Sequence, residues 1–481
     1  MTVGPVTWNG RPDPGVGPTM AAVDTGIGTA SPGAPSGPAP TPADPGRRPP
    51  LSDRPSPGLG GGGGAGRWAL VRLLAVLALI VAVFVALGAG PLLFFIVALV
   101  VIVMLHELGH FATAKWSGMK VTEYFVGFGP KLWSFRRGET EYGVKAIPAG
   151  GYVKIPGMSS LEEIHPDDEP RTYRQQPVHK RVIVASAGSV MHLLIALALA
   201  YVAVVAIGVP TSEVKVGSLS AFPPGAVSPA TAAGLRSGDV IVSVNHHPLT
   251  DPNQFTDIVG HSVGRPVTLG IERDGRAITK VVSPVDGTRI VVDGSPYRKT
   301  SDHSSGIIGI MQEPVYSPEG PLRGIGTSAI DVGRVTSATF AGLGHFFSPH
   351  GLSNFFTEVT NSKAGAASAA NPQGSDRPMS LIGIGRATVQ AQQQGFINVI
   401  EILIAINIGF AILNMLPMLP LDGGHVAIAL YERVRTRRGQ PFYRADVTKL
   451  LPVAYAFMAF LVLITFSAVF LDIAHPAQLF H

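Results

Sequence analysis

Cysteine is absent from the 481 residues, which excludes disulfides and any zinc site built on thiolates. Charge is scarce. Asp, Glu, Lys and Arg make up 14% of the chain, against roughly a quarter in soluble globular proteins. A chain that is 46% hydrophobic, with mean hydropathy +0.30, reads as an integral membrane protein carrying some soluble mass. Bulky apolar residues are nearly missing from residues 1–66, which are rich in Pro, Gly, Ala, Ser and Thr and close on the run Gly60 to Gly64. Such a segment cannot bury enough surface to offset the entropy of ordering, so a disordered spacer tail is expected, with partner binding through its Pro-rich parts as the alternative. No apolar stretch lies near Met1, so the segment does not read as a signal peptide. The net charge of +5 is not a nucleic-acid footprint, because the basic residues cluster beside apolar runs, as cytoplasmic loops do.

What is present is a set of apolar runs, each near the ~20 residues needed to cross a bilayer. They span about Trp68–Leu87, Leu92–Ala114, Val182–Val209, Phe396–Leu416 and Leu451–Leu471. Gly88-Ala89-Gly90-Pro91 predicts a tight turn between the first two. Between runs two and three, residues 115–181 are basic, and within them 139–147 and 149–155 read as two strands. Residues 211–315 change character. Ser228 to Asn245 reads as short helix, turn and strand, and Val267 to Arg276 as a hairpin with an Asp-Gly turn. In the connector 316–394, Phe340–Phe347 is placed on the membrane surface and Asn361–Arg377 as loop. With five spans, the basic tail (Arg47, Arg48, Arg54, Arg67) and the basic loops 115–181 and 426–450 share the cytoplasmic side. The β-rich domain and the C-terminal end then lie outside. The expected segments are a tail 1–66, a span 67–90, a core half 91–209, the β domain 211–315, the connector 316–394 and a second core half 395–481.

The second run ends in His106-Glu107-Leu108-Gly109-His110. Two histidines at i and i+4 share one helix face and can bind one zinc, with the Glu between them placed as general base. Ionisable groups at that depth are expensive and functional by default. A chance match on a soluble core helix is the bland alternative, and the length of the preceding run argues against it. A catalytic zinc usually keeps three protein ligands and an open position. The third ligand is sought at the cytoplasmic end of the fourth run, in Asn414-Met415-Leu416-Pro417-Met418-Leu419-Pro420-Leu421-Asp422-Gly423-Gly424-His425. Asp422 is the candidate, with His425 the other possible ligand and a helix N-cap the bland role for Asp422. A helical substrate must unwind to be cut, and Asn414 and an edge strand at Gly150, Gly151, Tyr152 and Val153 are candidates to hold it. His192, alone in the third run, reads as a packing residue.

Together these residues resemble the site-2 protease family of intramembrane zinc metalloproteases, in its bacterial, PDZ-containing, actinobacterial branch. The resemblance covers about residues 92–475. It rests on His106–His110 and on Asn414-Met415-Leu416-Pro417 running into Leu421-Asp422-Gly423. Tyr124–Pro130, Tyr142–Tyr152 and the PDZ-like Ala233–Asp239 support it. The resemblance implies a polytopic α-helical core with an inserted extracytoplasmic PDZ domain. Zn2+ would sit on His106, His110 and Asp422, with Glu107 as base and Asn414 holding substrate. Substrates would be single-span membrane proteins such as anti-sigma factors, already trimmed by an upstream site-1 type protease, or signal-peptide remnants. One departure stands out: the family pattern A-G-P-x-x-N is Ala187-Gly188-Ser189-Val190-Met191-His192 here, which bears on substrate handling rather than on the metal. A catalytically inactive membrane PDZ scaffold is the competing reading, argued against by the intact Glu107. A zinc transporter is the third, and it would need polar residues at mid-depth in several spans.

Overall fold

The third apolar run carries small residues at Ala185, Gly188, Ala196, Ala200 and Ala203, all buried. Small residues on one face let helix backbones approach closely, which is how helices associate where lipid removes the hydrophobic drive. A computed structural model describes residues 62–476 apart from 159–163, 220–221, 223–226, 252, 288–290, 293–294, 297–305, 371–376 and 437–442. Most of the expected tail therefore lies outside the described residues. Among the described residues, five helices are long and apolar enough to cross a membrane: Trp68–Ala86, Gly90–Trp116, Val178–Ile207, Phe396–Asn414 and Val447–Ala474. The first belongs to a helix that begins at Gly62, inside the glycine run, and Gly88 turns the chain with φ +65°.

The third span packs against both the second and the fourth. Phe95 and Ile102 of the second span meet Leu403 of the fourth. Ala196, Ala200 and Ala203 of the third meet Ile400, Ile404, Ile408 and Ile412. Enclosure differs sharply among the spans. In the fourth, 44% of the apolar stretch is enclosed by protein, whereas in the first none is.

Between the second and third spans lies a hairpin of two long strands, β1 (Glu123–Arg137) and β2 (Thr140–Lys154). The two strands expected at 139–147 and 149–155 correspond to two arms of β2, Glu141–Val144 and Gly151–Lys154, which lie on opposite sides of Glu123–Val126, with Gly150 at φ +123° in the bend between them. The first half of β1 is flanked on both sides by β2, with Phe125 opposite both Gly143 and Tyr152.

Between the third and fourth spans, a six-stranded sheet runs from Val209 to Ser317. Its path is Ile310–Ser317, Val209–Leu219, Val240–Val244, Val267–Arg273, Arg276–Val282, with His247–Pro248 beside Val240–Val244. Alternation buries Val267, Leu269 and Ile271 with Ile241, Val216 and Phe255. Asp274 and Gly275 have φ of 50° and 72°, the backbone that an Asp-Gly hairpin turn requires. The connector is more ordered than its sequence suggested. Helices cover Pro321–Phe346, Pro349–Thr360, Ser362–Ala370 and Leu381–Gln394. The expected loop at Asn361–Arg377 is corrected over Ser362–Ala370. That stretch is alanine-rich, and the Asn361 side chain accepts from the Lys363 amide at 3.0 Å at the helix start. Phe340 is exposed, whereas Phe346 packs with Phe355 and Leu471.

Candidate metal centre

The helix Gly90–Trp116 places His106 and His110 on one buried face, with Glu107 beside them. The fourteen residues Leu92–Leu105 before His106 are all apolar, so the helix arrives intact at the motif. His110 is oriented by a backbone partner in the third span. The Nδ1–H of His110 donates to the Val184 carbonyl of the third span at 2.7 Å. That bond leaves the Nε2 lone pair of the neutral ring free to face the site. Gly188, one turn further along, makes room for both rings. A Cβ there would lie 2.2 Å from His106 Cε1 and 2.5 Å from His110 Nε2.

Asp422 arrives from the other end of the chain. The fourth span ends at Asn414, an irregular segment follows, and a helix runs Asp422–Arg435. Asp422 is the first residue of that helix and does not cap it, since the N-cap position belongs to Leu421. The first helical turn is pressed against the irregular segment. A Cβ on Gly423 would meet the Met415 carbonyl carbon at 2.3 Å, and one on Gly424 the Leu419 amide at 2.7 Å. Asp422 Oδ2 lies 3.4 Å from His106 Nε2 and 3.2 Å from His110 Nε2. The two Nε2 atoms are 3.2 Å apart.

These three groups fit a metal ion. One ligand atom from each of His106, His110 and Asp422 falls within 4.8 Å of the others. Asp422 Oδ2 is buried with no hydrogen-bond donor. A buried carboxylate oxygen facing imidazole lone pairs is costly unless a cation stands among them. His425 is excluded from this group. It stands three residues along the helix, with its ring 6.2 Å from that of Tyr173.

Glu107 faces the hairpin. Its carboxylate accepts from the backbone N–H of Val153. A Cβ on Gly151 would lie 3.3 Å from Glu107 Cγ and 3.1 Å from the Phe125 carbonyl oxygen. The stretch Gly151–Lys154 pairs with β1 on one side only, among the described residues. Tyr152 is held away from Glu107, stacked between Phe125 and Phe128 and hydrogen-bonded to Lys145 and Glu123. Asn414 is half-buried at the end of the fourth span, eight residues before Asp422.

His192 is buried at the edge of this centre, with its ring centroid 4.8 Å from that of His106. Its Nδ1 meets Asn407 Oδ1 at 3.0 Å, and Asn407 Nδ2 donates to the Leu403 carbonyl at 2.8 Å. It is therefore a satisfied packing residue and not one of the three converging ligands. Asn407 was not singled out from the sequence. An amide near the middle of a largely apolar span is the signal that marks it. The Val184 carbonyl carries no sequence signal at all.

A family profile described as peptidase family M50 matches residues 94–461. The chain is 35% identical over 412 residues to the zinc metalloprotease Rip1 of Mycobacterium tuberculosis, covering 80% of this chain and 98% of that one. It is 33% identical to Rip1 of Mycolicibacterium smegmatis over 427 residues, 82% of this chain and 99% of the relative. A putative zinc metalloprotease of Nostoc is 30% identical over 348 residues, 71% of this chain and 85% of the relative. With the family profile spanning most of the chain and with His106, His110 and Asp422 converging on one point, this multi-pass membrane protein belongs to peptidase family M50, the site-2 protease family its motifs resemble.

Proposed function

We propose that this chain is an intramembrane zinc metalloprotease that cuts the membrane segments of single-span proteins. The observation that carries this reading is the convergence of His106, His110 and Asp422 beside Glu107, at the end of an apolar helix. The three would hold the zinc, leaving a fourth position for water or substrate. When bound there, zinc supplies Lewis acidity: it polarises a carbonyl and makes water acidic enough, towards a pKa of ~7, to lose a proton at neutral pH. Glu107 takes that proton on its carboxylate and delivers it to the nitrogen of the departing chain, so the peptide C–N bond breaks as the C–O bond forms. The Val153 amide fixes the Glu107 carboxylate while it does so.

Cleavage needs an extended substrate, because a helix ties up its own carbonyls. The one-sided stretch at Gly150, Gly151 and Tyr152 is read as the edge to which such a segment adds as a strand, with its carbonyls passing Glu107. Asn414 is read as a second holding point. The sheet from Val209 to Ser317 is read as an extracytoplasmic PDZ domain that admits substrates already trimmed outside, such as anti-sigma factors cut by a site-1 type protease, or signal-peptide remnants. The basic segments 115–181 and 426–450 support a cytoplasmic-side active site.

The test is cleavage of a single-span substrate by detergent-purified protein, wild type against Glu107→Ala, with bound zinc quantified in both. Zinc in both proteins and cutting by wild type alone is the expected result. Wild-type protein that holds no zinc under metal-preserving conditions would overturn the catalytic reading and favour a membrane scaffold.

A further inference from the structure

The helix that carries Asp422 is held at its far end by a buried ion pair. Glu432, 4% exposed, accepts from Arg181 Nη1 of the third span at 2.5 Å, and Arg181 is 5% exposed. The second oxygen of Glu432 accepts from the Ala445 amide at 2.8 Å. The Arg181 guanidinium lies 5.1 Å over the Tyr173 ring, and the Tyr173 hydroxyl donates to the Arg181 carbonyl at 3.2 Å. Tyr173 in turn meets His425, one turn along the helix from Asp422.

Two facts make this more than packing. A buried ion pair is a poor source of net stability, since desolvation consumes most of the Coulomb gain. Arg181 also stands one turn before Val184, whose carbonyl orients His110. One short stretch of the third span therefore fixes a ligand from the second span and the helix that brings the ligand from the C-terminal half. We propose that Arg181 and Glu432 are positioning residues that hold Asp422 in register with His106 and His110, a role that rests on the zinc reading above. The pair touches neither metal nor substrate. It acts by setting the axial position and rotation of a helix whose first residue must meet two imidazoles.

The test compares zinc affinity, by chelator competition on the purified full chain, with the thermal midpoint of each protein. Glu432→Gln and the milder Arg181→Lys are set against Arg377→Met, which breaks a second buried ion pair, Arg377–Asp472, remote from the ligands in sequence. The expected result is a zinc affinity ~10–100-fold weaker in the first two, the range for groups that orient metal ligands. Arg377→Met lowers the midpoint but leaves affinity within ~2-fold of wild type. Unchanged affinity in Arg181→Lys and Glu432→Gln would overturn the proposal, as would an equal loss in Arg377→Met. If Glu432→Gln does not fold, Arg181→Lys decides alone. Wild-type protein without zinc would instead fail the metal reading itself.

Discussion

Gly188 sits where any side chain would strike both candidate ligands. Gly188→Ala should abolish stoichiometric zinc in the purified protein, since the added carbon falls 2.2 Å from the His106 ring. The loss should be at least the ~10–100-fold that follows removal of ligand-orienting groups. Gly151 faces Glu107 instead. Gly151→Val should leave zinc bound and lower the turnover number, because the carboxylate is pushed from the Val153 amide while the ligands are untouched. Metal content and turnover measured on the same preparation separate the two. His192 and Asn407 belong to neither group. They satisfy one another inside the membrane-spanning bundle, so the His-for-Asn departure introduces no unpaired Nδ1.

At the scale of elements, the second and third spans meet backbone to backbone. A Cβ on Gly109 would lie 2.7 Å from the Ala187 carbonyl oxygen. Gly109→Ala should therefore separate the spans and lower stability by about 1–3 kcal/mol, the usual cost of overpacking, read as a drop in thermal midpoint in detergent. The hairpin is tied to the second span by charge. Glu139 bonds Arg171 at 2.8 Å and Lys115 at 2.5 Å, and these bonds, Arg171 first, hold its carboxyl down at about 2. A depressed carboxyl stabilises the fold fully above its unfolded value of 4.5 and loses that contribution as pH falls towards 2. The thermal midpoint of wild type should fall more steeply than that of Glu139→Gln between these pH values. Parallel curves would show that the clamp contributes nothing.

At the scale of the molecule, the absence of cysteine makes topology directly measurable. Arg276, exposed in the sheet domain, and Arg136, exposed in the hairpin, lie on opposite sides of the membrane under the five-span reading. Arg276→Cys should react with an impermeant maleimide in intact cells, and Arg136→Cys only after the membrane is opened. The reverse pattern would invert the chain. Labelling of both in intact cells would mean that the stretch between the hairpin and the domain does not cross the membrane as a single span.

Much of this protein is written locally. Apolar runs of membrane length name their spans without reference to the rest of the chain, because length and hydropathy are properties of the run itself. The HExxH spacing names two candidate ligands and a candidate base, because a helix brings i and i+4 together by itself. An Asp-Gly pair names its turn through the backbone it permits. Local signals failed where a residue's partner lies far away in sequence. Nothing near Gly150 reveals that both arms of β2 take the first half of β1 as partner, one on each side. Between Asp422 and His425 the sequence left a choice, since a short helix exposes both. Tertiary packing made it, because the close approach of Gly423 and Gly424 to Met415–Leu419 aims the first helical residue at the histidines. Asn407, the Val184 carbonyl and the Arg181–Glu432 pair are likewise products of three spans meeting. Helical spacing is a property of one segment, whereas convergence of donors 312 residues apart (His110 to Asp422) is decided only when the bundle closes.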